Sequence, residues 1–212
     1  MSARCVKKRL DLRLVEEGLA DSVQAAGALV MAGEVLVDGQ PASGAGQPVK
    51  AAAVVRLKSG SGGWVSRGAH KLLTAIERFH LKLEGRVCLD VGASTGGFTQ
   101  VMLKYGAAKV YAVDVGYGLL DWSLRTDPRV VVMERRNARF LTGEMFSPRP
   151  GFVCSDASFI SLRLLLNPMA AASAENAEAV VLVKPQFEAR REDLGKGGVV
   201  RSPEVHRAVL EE

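Results

Sequence analysis

The sequence predicts an α/β fold, an open Rossmann-like sheet preceded by a small α+β module. Three observations predict it. Apolar strand-like runs at Val87–Val91, Val110–Val115, Val130–Met133, Phe152–Cys154 and Ala179–Val183 alternate with helix-like segments. That alternation builds a doubly wound parallel sheet. Asp90, Asp114, Asp156 and Lys184 stand at or just after the carboxyl ends of these runs, where such sheets bind their ligands. Finally, the run Ser59-Gly60-Ser61-Gly62-Gly63 has nothing to pack and reads as a flexible boundary. It divides the 212 residues into a module over 1–59, a linker over 60–65 and a module over 66–212.

In the first module, Leu10, Leu12, Leu14, Val15 and Leu19 give a helical apolar face broken by charges. Asp21 and Ser22 are N-cap candidates for a second helix. That helix carries Val23, Ala26, Leu29 and Val30 at helical spacing and stops at Gly33. Glu34-Val35-Leu36-Val37 then reads as a strand, and Asp38-Gly39 as its hairpin turn. In the second module the helix candidates are Lys71–Phe79, Phe98–Tyr105, a segment near Leu119–Leu124, and Ile160–Ala172. Strand order 3-2-1-4-5 places the switch point beside Gly92.

Composition bounds the function. Hydrophobic residues make up 48% of the chain, enough for a packed core. The formal net charge of +5 is unevenly spread, with Arg4, Lys7, Lys8, Arg9 and Arg13 in the first 13 residues against one acid, Asp11. Such a cluster points to nucleic acid. The three cysteines, Cys5, Cys88 and Cys154, lack metal-site spacing, and no metal is expected. The N-terminus lacks the pattern of a signal peptide, and Met169–Val183 is interrupted by Glu175, Asn176 and Glu178, so no membrane span is expected. These features predict a cytoplasmic protein.

The loop Asp90-Val91-Gly92-Ala93-Ser94-Thr95-Gly96-Gly97 follows a strand and opens a helix at Phe98. Its glycines let the backbone approach a ligand closely. The loop is not G-x-G-x-x-G, because Ser94 replaces the second glycine, and no Lys-Ser/Thr follows to make a phosphate loop. Asp114 lies 22 positions after Gly92, placed to accept both hydroxyls of a ribose. A ligand with a ribose, a positive centre and no phosphates fits this loop better than a dinucleotide does. S-adenosylmethionine is such a molecule. Val115 follows Asp114, and Asn137 is placed either to touch its adenine or to shape a turn.

Asp156 and Lys184 follow the fourth and fifth runs. A lysine there commonly snorkels to solvent, but Pro185 stops the strand and fixes Lys184 at the sheet's rim. Lys71 begins the second module's first helix.

Two resemblances rest on these residues. Ser22, Ala26, Val30, Gly33, Val35, Val37, Asp38 and Gly39 resemble the S4 RNA-binding domain. The resemblance implies a basic face laid on structured RNA, with Arg4, Lys7, Lys8, Arg9, Arg13, Gln24 and Arg67 as candidates. Beyond it, the chain is similar to the TlyA family, which joins an S4 domain to an FtsJ-like methyltransferase domain. The matching stretches are Trp64–Leu72, Asp90–Phe98, Asp114–Gly118, Asp156–Leu162, Lys184–Glu188 and Gly195–Val200.

Members carry the names hemolysin and ribosomal RNA cytidine 2′-O-methyltransferase. The resemblance implies an S-adenosylmethionine-dependent enzyme acting on ribosomal RNA or ribosomal subunits, and neither DNA nor membrane as partner. FtsJ-like enzymes use a Lys-Asp-Lys-Glu tetrad, and Lys71, Asp156 and Lys184 match its first three members. Two close lysines disfavour each other's charge, so Lys184 is expected to serve as general base, Asp156 to orient the lysines and Lys71 to hold the substrate. Two further strands and the tetrad glutamate are normal in this fold, so the resemblance implies either a C-terminally truncated chain or a natural variant lacking the sheet's last edge. The alternatives are a non-catalytic RNA-binding or ribosome-assembly factor and, further off, a membrane-active hemolysin.

Overall fold

The computed structural model describes residues 7–20, 22–57, 64–195 and 197–211. Arg4, Cys5, Asp21, Lys196 and the Gly/Ser run over 59–63 lie outside the described residues.

The first module is small and mixed. Strand β1 (Lys7–Arg9) leads into helix α1 (Leu10–Glu16), followed by helix α2 (Val23–Met31). Strands β2 (Val35–Val37), β3 (Gln40–Pro41), β4 (Pro48–Lys50) and β5 (Val55–Leu57) complete it. β1 pairs antiparallel with β4, while β2 lies between β3 and β5. The hairpin turn is where expected, since Asp38 and Gly39 both adopt positive φ, the requirement of the tight turns that join twisted strands. Ser22 caps α2, its hydroxyl accepting from Ala25 N at 3.1 Å. The core holds Leu10, Leu14, Ala26, Val30, Val35, Val49 and Val55. The apolar face read over residues 10–19 is only partly helical. α1 ends at Glu16 and Leu19 follows it; Leu10 and Leu14 are buried in the core, Val15 and Leu19 pack against it, and Leu12 is exposed.

The second module contains helix α3 (Ala69–Phe79), strand β6 (Val87–Val91), helix α4 (Gly97–Lys104), strand β7 (Lys109–Val113) and the short helix α5 (Trp122–Arg125). Strands β8 (Val130–Met133) and β9 (Phe152–Ser155), helix α6 (Arg163–Ala172) and strand β10 (Glu178–Val181) follow. A one-turn helix α7 (Pro185–Glu188) and helix α8 (Pro203–Glu211) end the described chain. All pairs in the five-stranded sheet are parallel, in the order β10-β9-β6-β7-β8. This is the expected 3-2-1-4-5 order.

Two cores lie on opposite faces of the sheet, as the period of two along a strand requires. Cys88, Val110, Phe152 and Cys154 face Leu72, Ile76, Val101 and Met102 of α3 and α4. Leu89, Tyr111, Val113 and Val153 face Leu165 and Met169 of α6. Trp64 and Val65, assigned to the linker from sequence, pack against the first of these cores. Val65 N donates to Gln100 Oε1 at 2.7 Å.

Helix starts differ from expectation for local reasons. α3 begins two residues earlier, which puts Lys71 in its first turn. α6 begins at Arg163 rather than Ile160, because its first α-helical bond runs from Leu166 N to Leu162 O. α5 starts after Asp121, whose carboxylate accepts from Ser123 N at 2.9 Å.

Candidate active site

The glycine loop and the lysine–aspartate residues meet in one cleft of about 510 Å³ at the carboxyl edge of the sheet. Its walls include Asp90, Gly92, Ala93, Ser94, Thr95, Gly97 and Phe98. Lys71, Asp156, Ser158 and Lys184 complete the opposite side.

The loop is held by its own backbone and one carboxylate. Gly92 N and Ala93 N both donate to Val113 O, at 2.9 and 3.1 Å. Ser94 N donates to Asp114 Oδ2 at 2.8 Å and Gly116 N to Asp114 Oδ1 at 2.7 Å. A carboxylate has about four acceptor sites, so Asp114 retains capacity for further donors such as ribose hydroxyls. At Gly97 an added Cβ would lie 2.3 Å from Ser66 Oγ and 3.0 Å from Ala69 N. This glycine lets the start of α3, and with it Lys71, approach the loop.

Asp90 is buried at the cleft's floor, and its Oδ2 accepts from Thr99 Oγ1 at 2.7 Å. Burial pushes its carboxyl up to about 7, with the hydrogen bonds from Thr99 opposing and the charges of Asp114 and Asp156 adding to the rise. A folded-state value above the unfolded one means that ionisation opposes folding. The stability advantage of protonated Asp90 is present below about pH 4 and is lost as pH rises through about 7. Asp90→Asn should therefore become progressively more stable than the parent chain across that window, as urea denaturation at several pH values would show. A constant difference would contradict the assignment.

Asp156 is the hub of the site. Lys71 Nζ donates to its Oδ2 at 2.6 Å. Lys184 Nζ forms an ion pair with its Oδ1 at 2.7 Å, at an angle outside that of a hydrogen bond. Lys184 also donates to Asp156 O at 3.1 Å and to Ser158 Oγ at 2.7 Å. The lysines differ in exposure, at 49% for the Lys71 side chain and 17% for Lys184. Lys71 can therefore reach a ligand from the solvent side, whereas Lys184 is held beneath it. β10 ends at Val181, three residues before Lys184, and Pro185 is the first residue of α7, a position that suits proline's fixed φ.

The remaining sequence candidates are dispersed. Val115 is exposed beyond Asp114. Asn137 caps a 3-10 turn, its side chain accepting from Arg139 N at 3.0 Å. Gly96 starts α4 at φ 95°. In the first module Lys7, Lys8 and Arg9 are exposed along β1, with Lys8 paired to Glu16 and Arg9 to Asp11. The Arg9 guanidinium holds the Asp11 carboxyl below the usual range. Arg13 ties its own module together through Glu17, Lys50 O and Ala53 O. Gln24 and Arg67 join the two modules. Gln24 Nε2 donates to Tyr117 O at 2.6 Å, and Arg67 Nε donates to Glu34 Oε1 at 3.2 Å.

A larger intermodule cleft, about 600 Å³, is lined by Leu29, Trp64, Tyr117 and Trp122. It touches the glycine loop at Thr95 but includes none of Lys71, Asp156 and Lys184.

Three residues near the site have no role assigned by sequence. Phe159 is 86% exposed, and its ring lies 5.4 Å from that of Phe187. Glu188 accepts from Ser161 Oγ and Leu162 N, both at 2.6 Å. A signal for Phe159 existed, as an aromatic residue in a polar loop directly after the fourth strand. Glu188 stands four residues after Lys184, but its partners become visible only in the fold.

Comparison with known proteins agrees with this geometry. The FtsJ-like methyltransferase model matches residues 64–212 and the S4 domain model matches residues 8–55. A Mycobacterium tuberculosis protein named 16S/23S rRNA (cytidine-2′-O)-methyltransferase TlyA is 50% identical over 206 residues, 96% of this chain and 77% of its own length. The chain belongs to the TlyA family. Within the family, the Brachyspira hyodysenteriae protein named Hemolysin A is 40% identical, over 95% of this chain and 84% of its own. A solved Streptococcus thermophilus structure that carries the name hemolysin superposes with a TM-score of 0.72 at 42% identity, covering 98% of this chain and 76% of that one. Both family names therefore attach to one architecture, an S4 module followed by a methyltransferase module.

Proposed function

We propose that this chain transfers a methyl group from S-adenosylmethionine to the 2′-hydroxyl of a cytidine ribose in ribosomal RNA. One observation carries the reading. Lys71, Asp156 and Lys184 converge within hydrogen-bonding and ion-pairing distance in the cleft that holds the glycine loop. The named relative with cytidine-2′-O specificity supplies the substrate class.

The cleft suits S-adenosylmethionine. Its volume falls within the usual 300–1,000 Å³ range of ligand sites, its floor is built from glycines, and Asp114 has acceptor capacity for a ribose. When bound, the cofactor supplies an electrophilic methyl on a sulfonium centre. The chain supplies the rest. Asp114 and the loop amides hold the nucleoside end, and Asp90 lies beneath the cationic end, whose positive charge favours the ionised carboxylate. Asp156 pairs with Lys71 at the cleft mouth, where Lys71 grips the substrate ribose or phosphate. Lys184, after losing a proton to solvent, takes the proton of the attacking hydroxyl on its amine nitrogen. Alignment of hydroxyl and methyl contributes the larger part of the acceleration.

The exposed basic strand Lys7–Arg9 gives the first module a surface for the RNA backbone. With ribosomal subunits as substrate, the protein works in the cytoplasm. Among the described residues no helix is long and apolar enough to cross a membrane.

Phe159 is placed to stack on a base presented to the site. Stacking on an aromatic side chain contributes about 1–3 kcal/mol per base. Phe159→Ala should therefore lower kcat/KM for RNA by roughly 10-fold or more and leave S-adenosylmethionine affinity unchanged. An unchanged kcat/KM would remove Phe159 from the substrate site.

The functional reading is tested by incubating the chain with labelled S-adenosylmethionine and either ribosomal RNA, intact subunits or DNA. Label is expected in RNA or subunits and not in DNA. Cofactor binding without transfer to either RNA substrate would favour a binding role over an enzyme.

A further inference from the structure

We infer that Glu188 is a positioning residue for this reaction, its carboxylate locking the loop that carries Asp156, Ser158 and Phe159 to the turn that carries Lys184 and Phe187. The inference rests on the methyltransferase reading above, and it adds a residue that contacts no reacting atom.

Two loops from different strands must hold register for the site to exist. Residues 156–162 follow β9, and Lys184 to Glu188 follow β10. Their parallel pairing ends at Val181 and Ser155 with a last backbone bond from Leu182 N to Ser155 O at 2.9 Å, so beyond that point other contacts have to align them. At one end the Lys184 contacts to Asp156 and Ser158 do so. At the other end the Glu188 side chain, 6% exposed, spans the gap. Its Oε2 accepts from Ser161 Oγ and its Oε1 from Leu162 N, each at 2.6 Å. The Arg163 Nε lies 3.7 Å from Oε2, and Arg163 Nη2 donates to Glu188 O at 3.4 Å.

The carboxylate also completes a helix. Leu162 is the N-cap of α6 and makes no side-chain cap bond of its own. A negative group at a helix N-terminus satisfies free amides and meets the positive end of the macrodipole. Glu188 fills that role from 26 residues away. Between the two segments, Ala157, Ile160, Leu165, Lys184 and Glu188 line a small cavity of about 10 Å³. Lys184 is the N-cap and Glu188 the last residue of the same single turn, α7. Displacing one end of that turn displaces the lysine at the other.

The test uses the full chain with Glu188→Ala, Glu188→Gln and Ser161→Ala, followed by hydrogen–deuterium exchange and by methyl transfer at saturating RNA and cofactor. In Glu188→Ala, amides over 156–163 and 184–189 should exchange faster together, with the glycine loop unchanged. kcat should fall about 10- to 100-fold, the scale of a misplacement near 1 Å, while cofactor affinity, set by the glycine loop, stays within about 3-fold. Glu188→Gln should recover most of kcat, because its amide oxygen still accepts from Leu162 N and the Ser161 hydroxyl can rotate to accept from its NH₂. Ser161→Ala removes one bond and should show the same pattern at smaller scale, which decides the matter if Glu188→Ala does not fold.

Unchanged exchange in the variants would overturn the inference, as would loosened loops with unchanged kcat. A parent chain that methylates no RNA would instead count against the functional reading. The exchange experiment would then decide the clamp alone, with coupled loosening of both segments supporting it.

Discussion

Lys184→Ala should lower the methyl-transfer rate by about 10²–10⁴-fold, the usual contribution of a positioned general base, while S-adenosylmethionine binds with nearly unchanged affinity. The separation follows from the geometry. The loop and Asp114 that would hold the cofactor are fixed by contacts with Val113 O, Ser94 N and Gly116 N, none of which involves Lys184. Asp156 keeps its Lys71 partner when Lys184 is removed. Lys184→Arg sharpens the test, because arginine preserves the positive charge but does not give up its proton. An inactive arginine variant would support proton transfer at this position. An active one would leave Lys184 only an electrostatic role. Single-turnover kinetics with thermal unfolding of each variant would separate these outcomes from misfolding.

The second large effect is expected at Gly92, where the cofactor loop meets the catalytic loop. Gly92 sits at φ 82°, which costs an L-residue roughly 1–2 kcal/mol. An added Cβ would lie 3.1 Å from Ala157 Cα and 3.3 Å from Ala157 N. Backbone cannot step aside as a side-chain end can, so overpacking adds about 1–3 kcal/mol. Gly92→Ala should destabilise the chain by about 2–5 kcal/mol in total. It should also weaken cofactor binding, because relief of the clash moves either the loop or the neighbour of Asp156. Urea denaturation and calorimetric titration with S-adenosylmethionine check the two parts. Stability and affinity both unchanged would show that the approach to Ala157 is not tight.

The sheet was legible because its strands are short apolar runs ended by a charged residue or glycine. The fold places Asp90, Asp156 and Lys184 at one edge, and the expected 3-2-1-4-5 order, which puts the switch point beside Gly92, is the order observed. Lys71 was legible through its sequence motif, and its reach to Asp156 depends on Gly97 admitting the start of α3. The intermodule roles of Gln24 and Arg67 were not legible. Both are polar residues on surfaces that become an interface only when the modules pack, through Tyr117 O and Glu34. The start of α6 was misplaced because helical periodicity continues through Ile160, while the first α-helical bond runs only to Leu162 O. Glu188 was hidden because its partners are 26 and 27 residues distant in sequence.

The central claim is that the attacking atom is a ribose 2′-oxygen activated by Lys184 in this cleft. Ribosomal RNA methylated by the parent chain and by Lys184→Ala should be digested to nucleosides and analysed by mass spectrometry for the position of the new methyl. The account predicts 2′-O-methylcytidine from the parent and about 10²–10⁴-fold less from the variant in the same time. A methyl on the base, or equal yields from the two chains, would contradict it.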